Sequence, residues 1–136
     1  MIDRIDHVGI AVRSIEEARG FYESLGLEVT SVEEVPQEGV RVALIPCGES
    51  RIELLEPMTS DSPIQRFLDR RGPGMHHLCL SSGEIGADQA RLEAAGVDLL
   101  RPEPTPGAGG CWVQFVHPRS AGGVLIELSQ QGDGHD

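Results

Sequence analysis

Apolar and polar residues alternate from Ile5 to Val12, and most of the apolar positions are β-branched. A period of two with that composition predicts a half-buried strand. After Ser14 the period changes. Ile15, Ala18, Phe21, Tyr22 and Leu25 recur at helical spacing, which predicts a helix with these five as its apolar stripe. Ser14 and Glu17 form a capping box at its start, and Gly26 is the expected stop. Three strands are predicted next, near residues 28–34, 40–46 and 50–56. They are broken at Pro36/Gly39 and at Gly48/Glu49.

The chain then repeats itself. A shift of about 70 places His7 on His77, Ile15 on Ile85 and Gly26 on Gly96. Val42 and Leu44 pair with Val113 and Phe115 one residue out of step, and Ile52-Glu53-Leu54 matches Ile126-Glu127-Leu128 four out of step. That period is too long for a solenoid. It predicts two copies of one βαβββ module about a pseudo-twofold axis. The second has a strand at 75–81, a helix near 86–95 stopped by Gly96, and strands near 97–101, 111–117 and 123–129. The fold class expected is α+β: two tandem modules, about 3–57 and 74–130, in one domain over 1–136. Their curved mixed sheets are expected to form a cleft around a metal site. Between them, Ser62-Pro63-Ile64-Gln65 starts a linker helix over about 62–71, followed by a Gly72-Pro73-Gly74 turn. The residues from Gln130 onward, His135 among them, carry no pattern and are expected to fray.

Strand alternation selects a candidate site. Val8, Ile10 and Val12 form the apolar set of the first strand, so His7 faces the other way with Ile5, Gly9 and Ala11. In the equivalent strand His77 shares a face with Cys79 and Ser81, and His76 lies on the opposite one. Ile52 and Leu54 point to the core, so Glu53 points away, and Ile126 and Leu128 place Glu127 in the same way. A single exposed Glu or His on such a face is ordinary. Their recurrence at matched positions of both repeats is not. If the two sheets curl towards each other, the four converge. Two imidazoles and two carboxylates suit a borderline divalent ion, with two positions of an octahedral ion left open for a chelating substrate.

Composition narrows the classes. The chain has 136 residues, 39% hydrophobic and 24% charged, as expected for a globular fold. Net charge is 11 − 22 = −11, which argues against nucleic acid, whose phosphates need a basic face. No apolar run approaches the roughly 18 residues that span a bilayer, and the opening residues carry charges where an export signal would be apolar. A cytoplasmic protein is expected. Cys47, Cys79 and Cys111 are odd in number and widely spaced, against a disulfide framework or a thiolate zinc site. All eleven basic residues are arginine, so a lysine base or Schiff base is excluded.

The motifs resemble the vicinal oxygen chelate superfamily of glyoxalase- and dioxygenase-like proteins, and within it the methylmalonyl-CoA epimerase family. The superfamily shares the His and Glu points. The stretches Asp61-Ser62-Pro63-Ile64, Pro106-Gly107-Ala108-Gly109-Gly110 and Gly122-Gly123-Val124-Leu125-Ile126-Glu127-Leu128 carry the narrower likeness. What the resemblance implies is a divalent metal held by His7, His77 and Glu127, with Glu53 at the fourth position. Co2+ is the expected ion, with Mn2+, Ni2+ or Zn2+ as alternatives. The implied activity interconverts the epimers of methylmalonyl-CoA in propionate metabolism, by 1,1-proton transfer through a metal-stabilised enolate. Glu127 is then the first acid/base and Glu53 the second. Some members have a glutamine at the fourth ligand position and a separate glutamate on the adjoining strand. Here Val42 stands at that glutamate's place, which leaves Glu53 and Glu38 as candidates for the second base. The Gly107, Ala108, Gly109 and Gly110 loop is the expected substrate-binding element, its backbone N–H groups, or else a few arginines, holding the CoA tail. His76 and His117 are expected to be structural. A homodimer is implied by likeness alone.

Two other readings compete. One is a different metalloenzyme of the superfamily, of glyoxalase or dioxygenase type. The second is a ligand-binding or resistance module of the same fold, which needs no metal ligands.

Overall fold

The alternating opening segment is strand β1, Ile2–Ala11. Ser14, three residues beyond its end, caps helix α1, Ile15–Ser24, its hydroxyl accepting the Glu17 N–H at 3.2 Å. The chain continues through β2 (Ser31–Val35), β3 (Val40–Cys47), β4 (Ser50–Pro57) and α2 (Pro63–Arg71). The second module supplies β5 (Gly74–Ser82), α3 (Ile85–Ala94), β6 (Thr105–Pro106), β7 (Trp112–Val116) and β8 (Ile126–Gln130). This is the computed structural model of the chain, and it describes residues 1–132. His135 lies outside the described residues.

The chain divides into two compact units, His7–His76 and Met1–Asp6 with the segment from His77 on. Within the first, β1 runs parallel to β4, β4 antiparallel to β3 and β3 antiparallel to β2. Within the second the same plan recurs. Strand β5 is parallel to β8, β8 antiparallel to β7, and β7 antiparallel to β6. The α+β class and the duplicated βαβββ module are therefore both present. Parallel first and last strands need a crossover, and the helix following the first strand supplies it in each copy.

Two apolar clusters hold the first unit together, one on each side of its sheet. Val12, Ile15, Ala43, Ile45 and Leu54 pack beneath α1, with Ala18 and Tyr22 at the margin. Ala11, Val35, Val40, Val42 and Leu55 pack against Ile64 and Leu68 of α2. Each fully buried valine, leucine or isoleucine among them contributes about 1.5–3 kcal/mol. Ser62 is the α2 cap, its hydroxyl accepting the Ile64 N–H at 3.1 Å.

Three expectations need correction. The stripe on α1 is narrower than its spacing suggests: Ile15, Ala18 and Tyr22 meet the sheet, whereas Phe21 and Leu25 are 64% and 60% exposed. A ten-residue helix on a twisted sheet buries only a narrow arc. The strand expected at 97–101 is reduced to a single bridge from Leu99 to Val116. Pro102 and Pro104 offer no N–H to continue a ladder, and pairing resumes as the short β6. Gln130, expected to begin a frayed tail, is the last residue of β8.

Candidate metal centre and active site

Register fixes the first pair of functional side chains. His7 stands opposite Arg51 and Gly9 opposite Glu53 in the parallel β1–β4 ladder. Alternation therefore sets His7, Arg51 and Glu53 on one face. His7 Nδ1 lies 3.3 Å from Glu53 Oε2. Arg51 Nε donates to that same oxygen at 2.8 Å. Both members of the pair are buried, His7 at 5% exposure and Glu53 at 8%.

The second pair repeats this in the other unit. Cys79 is opposite Glu127 in the β5–β8 ladder, so His77 is again the diagonal neighbour of the glutamate. His77 Nε2 lies 3.0 Å from Glu127 Oε1, and each residue is 9% exposed. The structure thus brings together His7 with Glu53 and His77 with Glu127. Ionised carboxylates are rarely buried without a compensating positive charge. Imidazole and carboxylate donors are the chemistry that Mn, Fe, Co, Ni and Zn accept. The donor set fits a divalent ion. Arg51 is the site residue that sequence reasoning missed. Its signal was available, since it lies two positions before Glu53 and so on the same face.

The other sequence-selected residues fall as follows. Val42 is buried in the apolar cluster beneath α2, so no carboxylate stands at that place. Glu38 ends a 3-10 turn, Pro36–Glu38, and is half-buried. His76 packs edge-on against Phe67 of α2, ring centres 5.1 Å apart. His117 caps the 3-10 turn Pro118–Ser120, its Nδ1 accepting the Arg119 N–H at 3.1 Å. Cys79 is fully buried, and neither it nor Cys47 or Cys111 forms a disulfide. In the loop of Gly107, Ala108, Gly109 and Gly110, the Gly107 N–H donates to the Cys111 carbonyl at 2.8 Å. A Cβ on Gly107 would stand 2.8 Å from a Val113 methyl, and Gly109 and Gly110 both have positive φ. The loop's shape therefore depends on glycine. Among the described residues no helix is long and apolar enough to cross a membrane.

Residues 6–115 match the model of the glyoxalase/bleomycin resistance protein/dioxygenase superfamily, and the chain belongs to that superfamily. Members of it typically bind a divalent metal. Within it the chain is similar to the methylmalonyl-CoA epimerases. The ethylmalonyl-CoA/methylmalonyl-CoA epimerase of Cereibacter sphaeroides is 41% identical over 96% of this chain and 99% of its own. The crystal structure of methylmalonyl-CoA epimerase from Mycobacterium tuberculosis superposes with a TM-score of 0.91 at 36% identity, over 96% of this chain and 89% of that one. A variant of the Streptomyces coelicolor epimerase, in complex with 2-nitronate-propionyl-CoA, gives 0.91 at 34% identity over 97% and 99%.

Proposed function

We propose that this protein is a metal-dependent methylmalonyl-CoA epimerase. The observation that carries the reading is a buried His–Glu pair at the same place in each module, in a chain 34–41% identical to enzymes of that name. His7, Glu53, His77 and Glu127 would hold one divalent ion, with Co2+ the first to test. Among the described residues, His7, His77 and Glu127 make up a set of donors able to hold a metal ion, which supports the assignment. When bound, such an ion supplies Lewis acidity towards the thioester and carboxylate oxygens of the substrate.

The chain's own residues supply the proton transfers. The Glu127 carboxylate accepts the proton from the α-carbon, the C–H electron pair passes into the thioester carbonyl, and the α-carbon becomes planar. A second acid on the opposite face returns a proton to that carbon. Glu53 takes this role in our assignment, with Glu38 as the alternative. Burial of both glutamates keeps bulk water from competing. Backbone N–H groups of the Gly107–Gly110 loop are assigned to the substrate. A homodimer completes the proposal by family resemblance.

The test is hydrogen exchange. In deuterated water with added Co2+, the protein should incorporate deuterium at the α-carbon of methylmalonyl-CoA and equilibrate its epimers. Absence of both, alongside hemithioacetal turnover or oxygen uptake with a catechol, would place the chain with the superfamily's other enzymes.

A further inference from the structure

A cationic side chain is built into the same face of module two as Glu127. Phe115 is directly opposite Glu127 in the β7–β8 ladder, and Thr105 is opposite Val113 in the β6–β7 ladder. Directly paired residues share a face and alternate residues return to it. Glu127, Phe115, Val113 and Thr105 therefore line one surface. The guanidinium carbon of Arg101 lies 4.9 Å from the centre of the Phe115 ring, and Arg101 Nη1 donates to Thr105 Oγ1. The group is held over an aromatic face and tied at its edge.

The backbone beneath it is held as well. The Gln114 side chain is fully buried and donates to the Arg101 carbonyl at 3.0 Å and to Gln89 Oε1 at 2.8 Å. Gln89, itself buried, donates to the Pro102 carbonyl at 2.8 Å. Two interior amides fix a segment that has lost its strand pairing. Nothing comparable is needed in module one. There the Thr30 N–H donates to the Leu44 carbonyl at 2.9 Å, just as Leu100 donates to Phe115 at 2.9 Å. Ser31 therefore stands where Arg101 does. The fold forms in module one without a cation at that position.

We propose that Arg101 binds an oxyanion of the thioester substrate, either the acyl carboxylate or a CoA phosphate, and so fixes the acyl group against Glu127. The proposal rests on the epimerase reading given above. A planar guanidinium fork matches the geometry of both oxyanions. Stacking on Phe115 fixes its orientation before the ligand arrives, which reduces the ordering that binding requires. It is also a fixed cation on the site face of a chain whose net charge is −11 and whose ligand is polyanionic.

The Co2+-loaded protein tests this. KM and kcat are measured with methylmalonyl-CoA, and KI with propionyl-CoA, which has the same tail and no carboxylate. Arg101→Gln should raise KM about tenfold to a hundredfold, the scale of a charge-assisted hydrogen bond, with a smaller change in kcat. Arg101→Lys should recover part of the loss. An unchanged KI for propionyl-CoA identifies the acyl carboxylate as the partner, and a KI raised in parallel identifies a phosphate. KM and KI both unchanged in Arg101→Gln overturn the proposal. Should that variant melt at a lower temperature, Thr105→Val decides, since it loosens the guanidinium without deleting it. KM should then rise a few-fold, and an unchanged KM overturns the proposal. A wild-type protein that exchanges no α-proton refutes the epimerase reading instead, and equilibrium binding of the two thioesters then still tests Arg101.

Discussion

Glu56 and Gln130 perform one task in two places. Glu56 Oε1 accepts the N–H of Ile15, the first residue of α1, at 2.7 Å. Gln130 Oε1 accepts the N–H of Ile85, the first residue of α3, also at 2.7 Å. In each module the final strand thus supplies the acceptor that the helix start lacks.

Removing either acceptor should therefore destabilise its module. Glu56→Ala and Gln130→Ala are each expected to cost about 0.5–2 kcal/mol, the usual range for a lost helix cap. Glu56→Gln copies the residue of module two and should keep the bond to Ile15. It loses only the ion pair with Arg41, which contributes at most about 1 kcal/mol at a partly exposed site. Urea titrations of the three variants check this ordering.

Neighbouring histidines should separate cleanly. His77→Ala is expected to abolish binding of the divalent ion. His76→Ala should retain the ion and lose stability, because its ring packs on Phe67. Elemental analysis of cobalt-loaded variants, with thermal melts, distinguishes the two. Metal loss in His76→Ala with retention in His77→Ala would mean that the β5 face is assigned wrongly.

The two glutamates should each matter to turnover. Glu127→Gln and Glu53→Gln are expected to lower epimerisation at least about a hundredfold, the low end for a general acid or base. Metal content should fall less, because glutamine keeps an oxygen ligand. The variants should differ in which epimer still exchanges its α-proton with deuterium. Full activity in Glu53→Gln would move the second proton to Glu38 or to water.

Acid should weaken the second unit through Asp88. Burial acts to raise the proton affinity of this carboxyl, but hydrogen bonds, including those from the Ser82 hydroxyl and the Arg91 guanidinium, outweigh it and hold it below the usual carboxylate range. The folded value is then lower than the unfolded one. Its stabilisation is present above the ordinary carboxylate value, near about 4, and is lost as pH falls through the folded value. Asp88→Asn should cost about 1–3 kcal/mol at neutral pH and flatten the acid limb of a stability profile. Denaturant unfolding at several pH values measures both.

The parts of the fold legible in the sequence were those that the repeat shows twice. His7 and His77, like Glu53 and Glu127, could be assigned to a face because alternation and duplication agree on them. Phe21 and Leu25 show the limit of helical spacing, since the arc a short helix buries is set by how it lies on the sheet. The lost strand at 97–101 turned on Pro102 and Pro104, which oppose the apolar run before them. The packing of Val42 under Ile64 and Leu68 was not legible, because α2 has no counterpart in the repeat. Arg51 and Arg101 escaped notice for a related reason. Each is a departure of one copy from the other, and a search for shared positions passes over such residues.

The docking of α2 onto the first unit has a further consequence. Duplication creates two equivalent sheet faces, and the helix inserted between the copies packs on that of the first. By covering Val42 and Leu55 it commits much of that face to packing. On the corresponding face of the second copy stand Phe115 and Thr105, with the Arg101 guanidinium over the Phe115 ring. Division of labour between once-identical halves can thus begin with the place where a connecting segment comes to rest.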